Sequence, residues 1–326
     1  MVNVEHNSNK HHYSNTKLIS KILGVFLAFL FFFIACQHRK QYGGSSKDMK
    51  KLGWQYRSQQ HKAAAINAID NSDVNKNNYG NHVMYTFYEP INDDDERLLD
   101  AWKSAWRAVG WEPRVLNLQN AQQHKDYDKY KQPLEINTDG IYNQMHYLRW
   151  LAMASIDEGG YMSDYDVFPI PTKIDFLKLV EKGNTLPNDG TLTVFEFTLD
   201  GGVPSLISGS ASEWNRLAHL IIEKSYDEKI RNDMSALESI KQADPRAFIL
   251  GGKVLKGHVA LKEKILTKEH CELWFGFSAV RFSDYAIEKG KESGRLPPSA
   301  GPSSKPDIAT EWVREWFNVC GQVNVM

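Results

Sequence analysis

The sequence predicts an α/β fold, a mostly parallel sheet flanked by helices, carried behind an N-terminal membrane helix. An unbroken apolar run at residues 22–36 stands near the start of the chain. Beyond a polar interval, β-rich runs then alternate with stretches of helical period, the order that builds a doubly wound parallel sheet. The composition, 42% hydrophobic and 24% charged, is globular, and the residues left after the N-terminal part suffice for one large α/β domain.

Residues 1–17 read as a polar tail and 18–36 as a transmembrane signal anchor. About 20 apolar residues cross the hydrocarbon layer, and Lys21 can snorkel to the headgroups. Two other readings of the same run are a bacterial lipoprotein signal, with Phe33-Ile34-Ala35-Cys36 as a loose lipobox, and a cleaved signal peptide. All three place the following domain outside the cytosol. Basic residues flank the run on both sides: Lys10, Lys17 and Lys21 before it, Arg39, Lys40, Lys47, Lys50 and Lys51 after it. By count these favour a cytoplasmic C-terminal side, so charge does not supply the orientation adopted below. Residues 37–80, with Gly43-Gly44-Ser45-Ser46 and an Asn-rich end, read as a stem.

The domain, 81–326, opens on an alternating strand at 82–88. A helix over 96–109 follows, with Leu98, Leu99, Trp102, Trp106 and Val109 on one face, acidic N-cap chemistry before it and Gly110 after it. A second strand at 114–118 completes a βαβ unit. Next come a helix over 142–156, stopped by Gly159-Gly160, and a very short strand at 161–163 that runs into Asp164-Tyr165-Asp166. Strands are expected at 193–197 and 205–209, a helix over 209–224 capped by Ser210 or Ser212, a late strand at 271–277, a Pro-, Ser- and Gly-rich loop at 291–305, and a terminal helix over 308–317. Cys271 and Cys320 can form a disulfide in an oxidising compartment or remain two buried thiols. A net charge of -1, without a basic run in the domain, gives no footing for nucleic acid.

Chemistry concentrates at Gly159-Gly160-Tyr161-Met162-Ser163-Asp164-Tyr165-Asp166-Val167. Two carboxylates one residue apart at a strand end reach one point only if the chain turns there, and such a turn sits at the sheet edge where α/β folds bind ligands. Paired hard oxygens suit Mn²⁺ or Mg²⁺, with a diphosphate able to supply further ligands. An isolated Asp-x-Asp is common; Asp126-Tyr127-Asp128 is a second one in this chain.

The stretch from Arg149 to Val167 resembles the DXD sugar-binding region of GT-A glycosyltransferases, the group of Golgi α-1,4-glycosyltransferases and yeast-type mannosyltransferases. In that group an Arg-bearing helix precedes Gly-Gly-x-Tyr-x-Asp-x-Asp-Val. Here Gly159, Gly160, Tyr161, Asp164 and Asp166 match, with one residue fewer between the Gly pair and Tyr161 and Arg149 about two residues further from the pair. The resemblance implies a GT-A fold and a type II membrane enzyme with a lumenal, Golgi-type catalytic domain. It implies a UDP- or GDP-sugar donor, a glycan or glycolipid acceptor, and Mn²⁺ or Mg²⁺. Asp166 would hold the metal, Asp164 the metal or ribose, and Arg149 the nucleotide or sugar; Arg149 pairing with Asp157 or Glu158 is the structural alternative.

Glu196 and Asp200, beside Gly201-Gly202, are candidates for the acceptor side. A third metal ligand is sought in His270, His258 or Asp284. A haloacid-dehalogenase reading of the Asp pair meets Phe168 two residues after Asp166, where that chemistry needs Thr or Val. A membrane-tethered, catalytically inactive carbohydrate-binding protein is the alternative to a transferase.

Overall fold

The computed structural model describes residues 82–90, 94–138, 140–170, 185–198, 201–227, 230 and 232–321, all within one compact unit spanning 72–326. The anchor and stem expected over 18–80, and Asp200, lie outside the described residues. Among the described residues no helix is long and apolar enough to cross a membrane.

β1 (His82–Phe87), α1 (Asp94–Ala108) and β2 (Trp111–Leu116) form the expected βαβ unit, with the strands parallel from His82↔Trp111 to Phe87↔Leu116. α1 forms because Leu98, Leu99, Trp102 and Trp106 recur on one face, all of them buried. Gly110, at φ 85°, turns the chain out of it. α2 (Leu118–Gln122), α3 (Tyr127–Asn137) and α4 (Gly140–Ala154) follow, and β3 (Gly160–Ser163) returns beside β1, again parallel.

Three of the five pairings in the large sheet are parallel, as expected, and the two made by the strand Gly201–Gly209 are antiparallel. β5 (Thr193–Thr198) and β6 (Gly201–Gly209) are antiparallel neighbours, and β6 runs antiparallel to β3. Consecutive strands joined by a two-residue connection can pair only as a hairpin, so the six-stranded sheet, in the order β2-β1-β3-β6-β5-β7, is mixed. Gly201-Gly202 belong to β6, which starts four residues earlier than expected. α5 (Ala211–Lys224) is capped by Ser210, whose hydroxyl accepts from the Glu213 N–H. α6 (Asp233–Ala243) leads to β7 (Ile249–Leu250), which pairs parallel to β5.

A second sheet, in the order β4-β9-β8, holds β4 (Val167–Pro169), β8 (Val254–Lys256) and β9 (Ala279–Arg281). β8 passes directly into the short α7 (Gly257–Ala260), and β9 reaches α9 (Asp284–Glu292) after two residues. The strand expected at 271–277 is instead a helix, α8 (Lys268–Leu273), followed by a turn; the next strand is β9. An aromatic run imitates β propensity there, whereas His270 Nδ1, accepting from the Thr267 N–H at 3.0 Å, fixes a helix start. α10 (Lys305–Cys320) closes the described chain and is tied to α8 by a Cys271–Cys320 disulfide.

Alternating side chains divide the core between the two faces of the large sheet. Met84, Tyr161, Phe195 and Leu206 pack with α1, α10 and the small sheet. Tyr85, Met162, Val194 and Ile207 pack with α2 to α6.

Candidate active site

β3 ends at Ser163, and the next four residues make a tight turn: the Val167 N–H donates to the Asp164 carbonyl at 3.0 Å. The turn is held on every side. The Asp164 N–H donates to the Ser205 carbonyl of β6 at 2.8 Å, and the Phe282 N–H to the Asp166 carbonyl at 2.9 Å. Trp102 Nε1 donates to Ser163 Oγ at 2.9 Å and Trp106 Nε1 to the Val167 carbonyl at 3.2 Å. Two indoles one helical turn apart on α1 therefore brace the residues that flank Asp164 and Asp166. The chain turns as the spacing requires, and the small sheet begins immediately beyond it.

Arg281, at the end of β9, places its guanidinium among three carboxylates. Nε lies 3.4 Å from Asp166 Oδ1, Nη1 3.4 Å from Glu196 Oε2 and Nη2 3.9 Å from Asp164 Oδ2. Glu196 also accepts from the Ser205 hydroxyl, beside a β-bulge where the register of β5 and β6 shifts. Arg149, reaching from α4, is bound more tightly. Its Nη1 donates to Asp164 Oδ1 at 2.6 Å and its Nε to Asp233 Oδ2 at 2.8 Å. Asp233 further accepts from Trp150 Nε1 at 2.9 Å and pairs with His146. Arg149 thus pairs with Asp233, and not with Asp157 or Glu158. It fixes one Asp164 oxygen, leaving the other toward Arg281.

The charges do not balance. Four carboxylates (Asp164, Asp166, Glu196, Asp233) face two guanidiniums (Arg149, Arg281), a formal excess of two negative charges among these six groups. Burial pushes the Asp166 carboxyl up against the pull of Arg281, and Asp164 adds to the rise. Burial likewise raises Glu196, against Arg281 and the Ser205 hydrogen bond. Burial would raise Asp233 too, but Arg149, His146 and Trp150 hold it well below the usual carboxylate range. Burial works against the Arg281 charge, yet Asp166, Asp164 and Glu196 together hold its guanidinium above its ordinary value. The donor set fits a divalent cation on two counts: hard oxygens from the Asp pair and a deficit of two positive charges. Among the described residues no group of three or more His, Cys, Asp or Glu side chains is arranged to hold a metal ion. In this structure the Arg281 guanidinium stands among the oxygens.

Other expected site residues lie elsewhere. Gly159 and Gly160 sit at the opposite end of β3 from Asp164. At Gly159, with φ 67°, a Cβ would come within 2.5 Å of the Ala211 nitrogen, so this glycine admits the start of α5. Tyr161 is buried against Trp111, with ring centroids 5.0 Å apart. His270 does not join the Asp pair; it packs on Trp274 beside the disulfide, with Glu263 3.9 Å away. Asp284 pairs with Lys305 at 2.7 Å. In the second Asp-x-Asp, Asp126 bonds His219 at 2.8 Å. Asp233 and Arg281 were not legible as site residues. Asp233 follows an N-capping Asn232 and looks like an ordinary first-turn acid, and Arg281 falls in a strand placed too early.

A cleft of about 260 Å³ adjoins the cluster, lined by Glu196, Lys256, Gly257, His258, Arg281, Ser283 and Tyr285. A family model described as a domain of unknown function (DUF8765) matches residues 71–243. That span covers Arg149, Asp164, Asp166, Glu196 and Asp233 but stops before Arg281 and, of the cleft residues, before Lys256, Gly257, His258, Ser283 and Tyr285. No curated protein and no solved structure matches the chain.

Proposed function

We propose that the chain, which belongs to the DUF8765 family, is a membrane-tethered hexosyltransferase with a GT-A-like domain that moves a sugar from a UDP- or GDP-linked donor to a glycan or glycolipid acceptor. One observation carries the reading: Asp164, Asp166 and Glu196 converge at the end of β3 with an uncompensated double negative charge. A dinegative oxygen cluster at a sheet edge, beside an open cleft, is the arrangement needed to bind a diphosphate through a shared cation. Asp164 and Asp166 would hold Mn²⁺ or Mg²⁺, and the ion, when bound, neutralises charge on a departing diphosphate. The chain's own residues do the positioning. Arg149, locked by Asp233, orients Asp164; Trp102 and Trp106 fix the turn; Arg281, which pairs with the three carboxylates, would turn to an anionic leaving group once a cation takes its place among the oxygens. Glu196, which lines the cleft and is raised by burial, would accept a hydrogen bond from an acceptor hydroxyl.

The Cys271–Cys320 disulfide supports a domain that works in an oxidising compartment, as a lumenal or exported domain does. A second reading has an observation of its own. If Arg281 permanently takes the cation's place, the chain is a carbohydrate-binding protein without turnover.

The test is release of UDP or GDP from a panel of nucleotide sugars by the full chain, with Mn²⁺ and with chelator. Release from one donor that stops with chelator is the expected result. Absence of release, together with no metal-dependent nucleotide binding, would leave the binding-protein reading.

A further inference from the structure

The cleft beside the carboxylate cluster is built from the C-terminal ends of two parallel strands. β8 and β9 pair with Lys256 opposite Arg281, and each then turns into a helix, β8 into α7 and β9 into α9. The crevice beyond the carboxyl ends of parallel strands is where α/β sheets bind ligands. The two chain passes approach closely at Gly257, where a Cβ would fall 2.1 Å from the Arg281 carbonyl oxygen. Glu196 and Arg281 belong to both the cluster and this cleft.

Tyr285, on the first turn of α9, is 57% exposed although it lines the cleft. His258 holds the ring edgewise, with centroids 5.2 Å apart. Lys289 reaches over it from the same helix, its ammonium 5.5 Å from the centroid on a flexible stem that a ligand can displace. An exposed aromatic ring beside a carboxyl, a lysine and a hydroxyl has a specific chemical complement. One face of a pyranose presents electropositive C–H groups, which pack on the electron-rich face of an aromatic ring. Its hydroxyls at the same time donate to a carboxylate and accept from an ammonium. Cleft-shaped sites with a few convergent polar groups are where such ligands are held.

We propose that this cleft is a pyranose-binding subsite, with the sugar ring on Tyr285 and its hydroxyls toward Glu196 and Lys256. Resting on the transferase reading above, it is the acceptor side of the site. Glu196 and Arg281 then stand between acceptor and donor.

The experiment is ligand-observed saturation-transfer NMR on the full chain in detergent micelles. Methyl α-mannopyranoside and methyl β-galactopyranoside serve as sugar probes, and UDP and GDP with Mn²⁺ are titrated separately. At least one methyl pyranoside should receive saturation. Tyr285→Ala should weaken its binding at least tenfold, Tyr285→Phe should restore it, and Tyr226→Ala, an exposed tyrosine on another part of the surface, should leave it unchanged. Equal sugar binding by Tyr285→Ala and wild type, or no sugar binding by a wild type that binds nucleotide, would overturn the subsite and leave the transferase reading standing. Sugar binding lost in Tyr285→Ala while no nucleotide binds would uphold the subsite and remove the transferase reading. Because the Tyr285 ring is exposed, its replacement leaves the core untouched, which a thermal melt of each variant checks.

Discussion

Asp233 is a buried carboxylate and Asp166 a half-buried one, and they differ in what compensates their loss of water. Asp166 has its carboxyl raised, so its charge costs stability as pH rises through the folded value. Asp166→Asn removes that cost while Arg281 keeps Asp164 and Glu196. The variant should melt at or above the wild-type temperature at pH 7.5, yet lose chelator-sensitive turnover; a wild-type rate would sink the assignment. Asp233 behaves oppositely. Its folded carboxyl titrates below the unfolded value of about 3.9, so its contribution is fully present above that pH and is lost as pH falls below it. Asp233→Asn leaves the Arg149 charge with Asp164 as its one remaining carboxylate and should cost up to about 3–5 kcal/mol at neutral pH. Urea melts of both proteins should converge as pH is lowered below about 4.

At the scale of elements, β3 shows how one short strand serves two purposes. Its C-terminal end presents Asp164, while its N-terminal end at Gly159 lies against the first residue of α5. Gly159→Ala adds a left-handed backbone penalty to a backbone clash and should cost about 2–5 kcal/mol. Nucleotide affinity of the fraction that folds should stay at the wild-type level, because the damage is a strand length from the carboxylates. Calorimetry on the variant at low temperature checks this.

The elements that carry a strong period were legible: β1, α1 with its Trp102 and Trp106, α4, α5 and α10. The Asp164–Asp166 turn was legible too, because two acids at a strand end have little structural reason to be there. α3, with Pro133 inside it and few apolar residues, shows no clear period in sequence, and α8 was hidden beneath the run Leu273-Trp274-Phe275. Asp233 and Arg281 escaped because their significance is purely tertiary. They lie 84 and 85 residues from their partners Arg149 and Glu196, a distance at which local patterns say nothing.

Considered as a whole molecule, the described chain splits its site between two sheets. Asp164, Asp166 and Glu196 come from the six-stranded sheet and its turn, and Arg281 and Tyr285 come from the small sheet and the helix that follows it. The Cys271–Cys320 bond spans 49 residues, and its reduction should cost about 4 kcal/mol by the loop-closure estimate. A lowered urea midpoint in dithiothreitol measures it. The same bond makes a covalent hoop around β9 and α9, so Arg281 and Tyr285 are inside it and Asp164 and Asp166 are outside. A protease that cuts within residues 293–301, between α9 and the last helix, would leave two pieces that still migrate as one band until a reductant is added. Both halves of the site lie on the larger piece, so cleavage there would be silent in an oxidising compartment, while in a reducing one it would free the last helix, whose Trp312 and Trp316 pack in the core beside the small sheet.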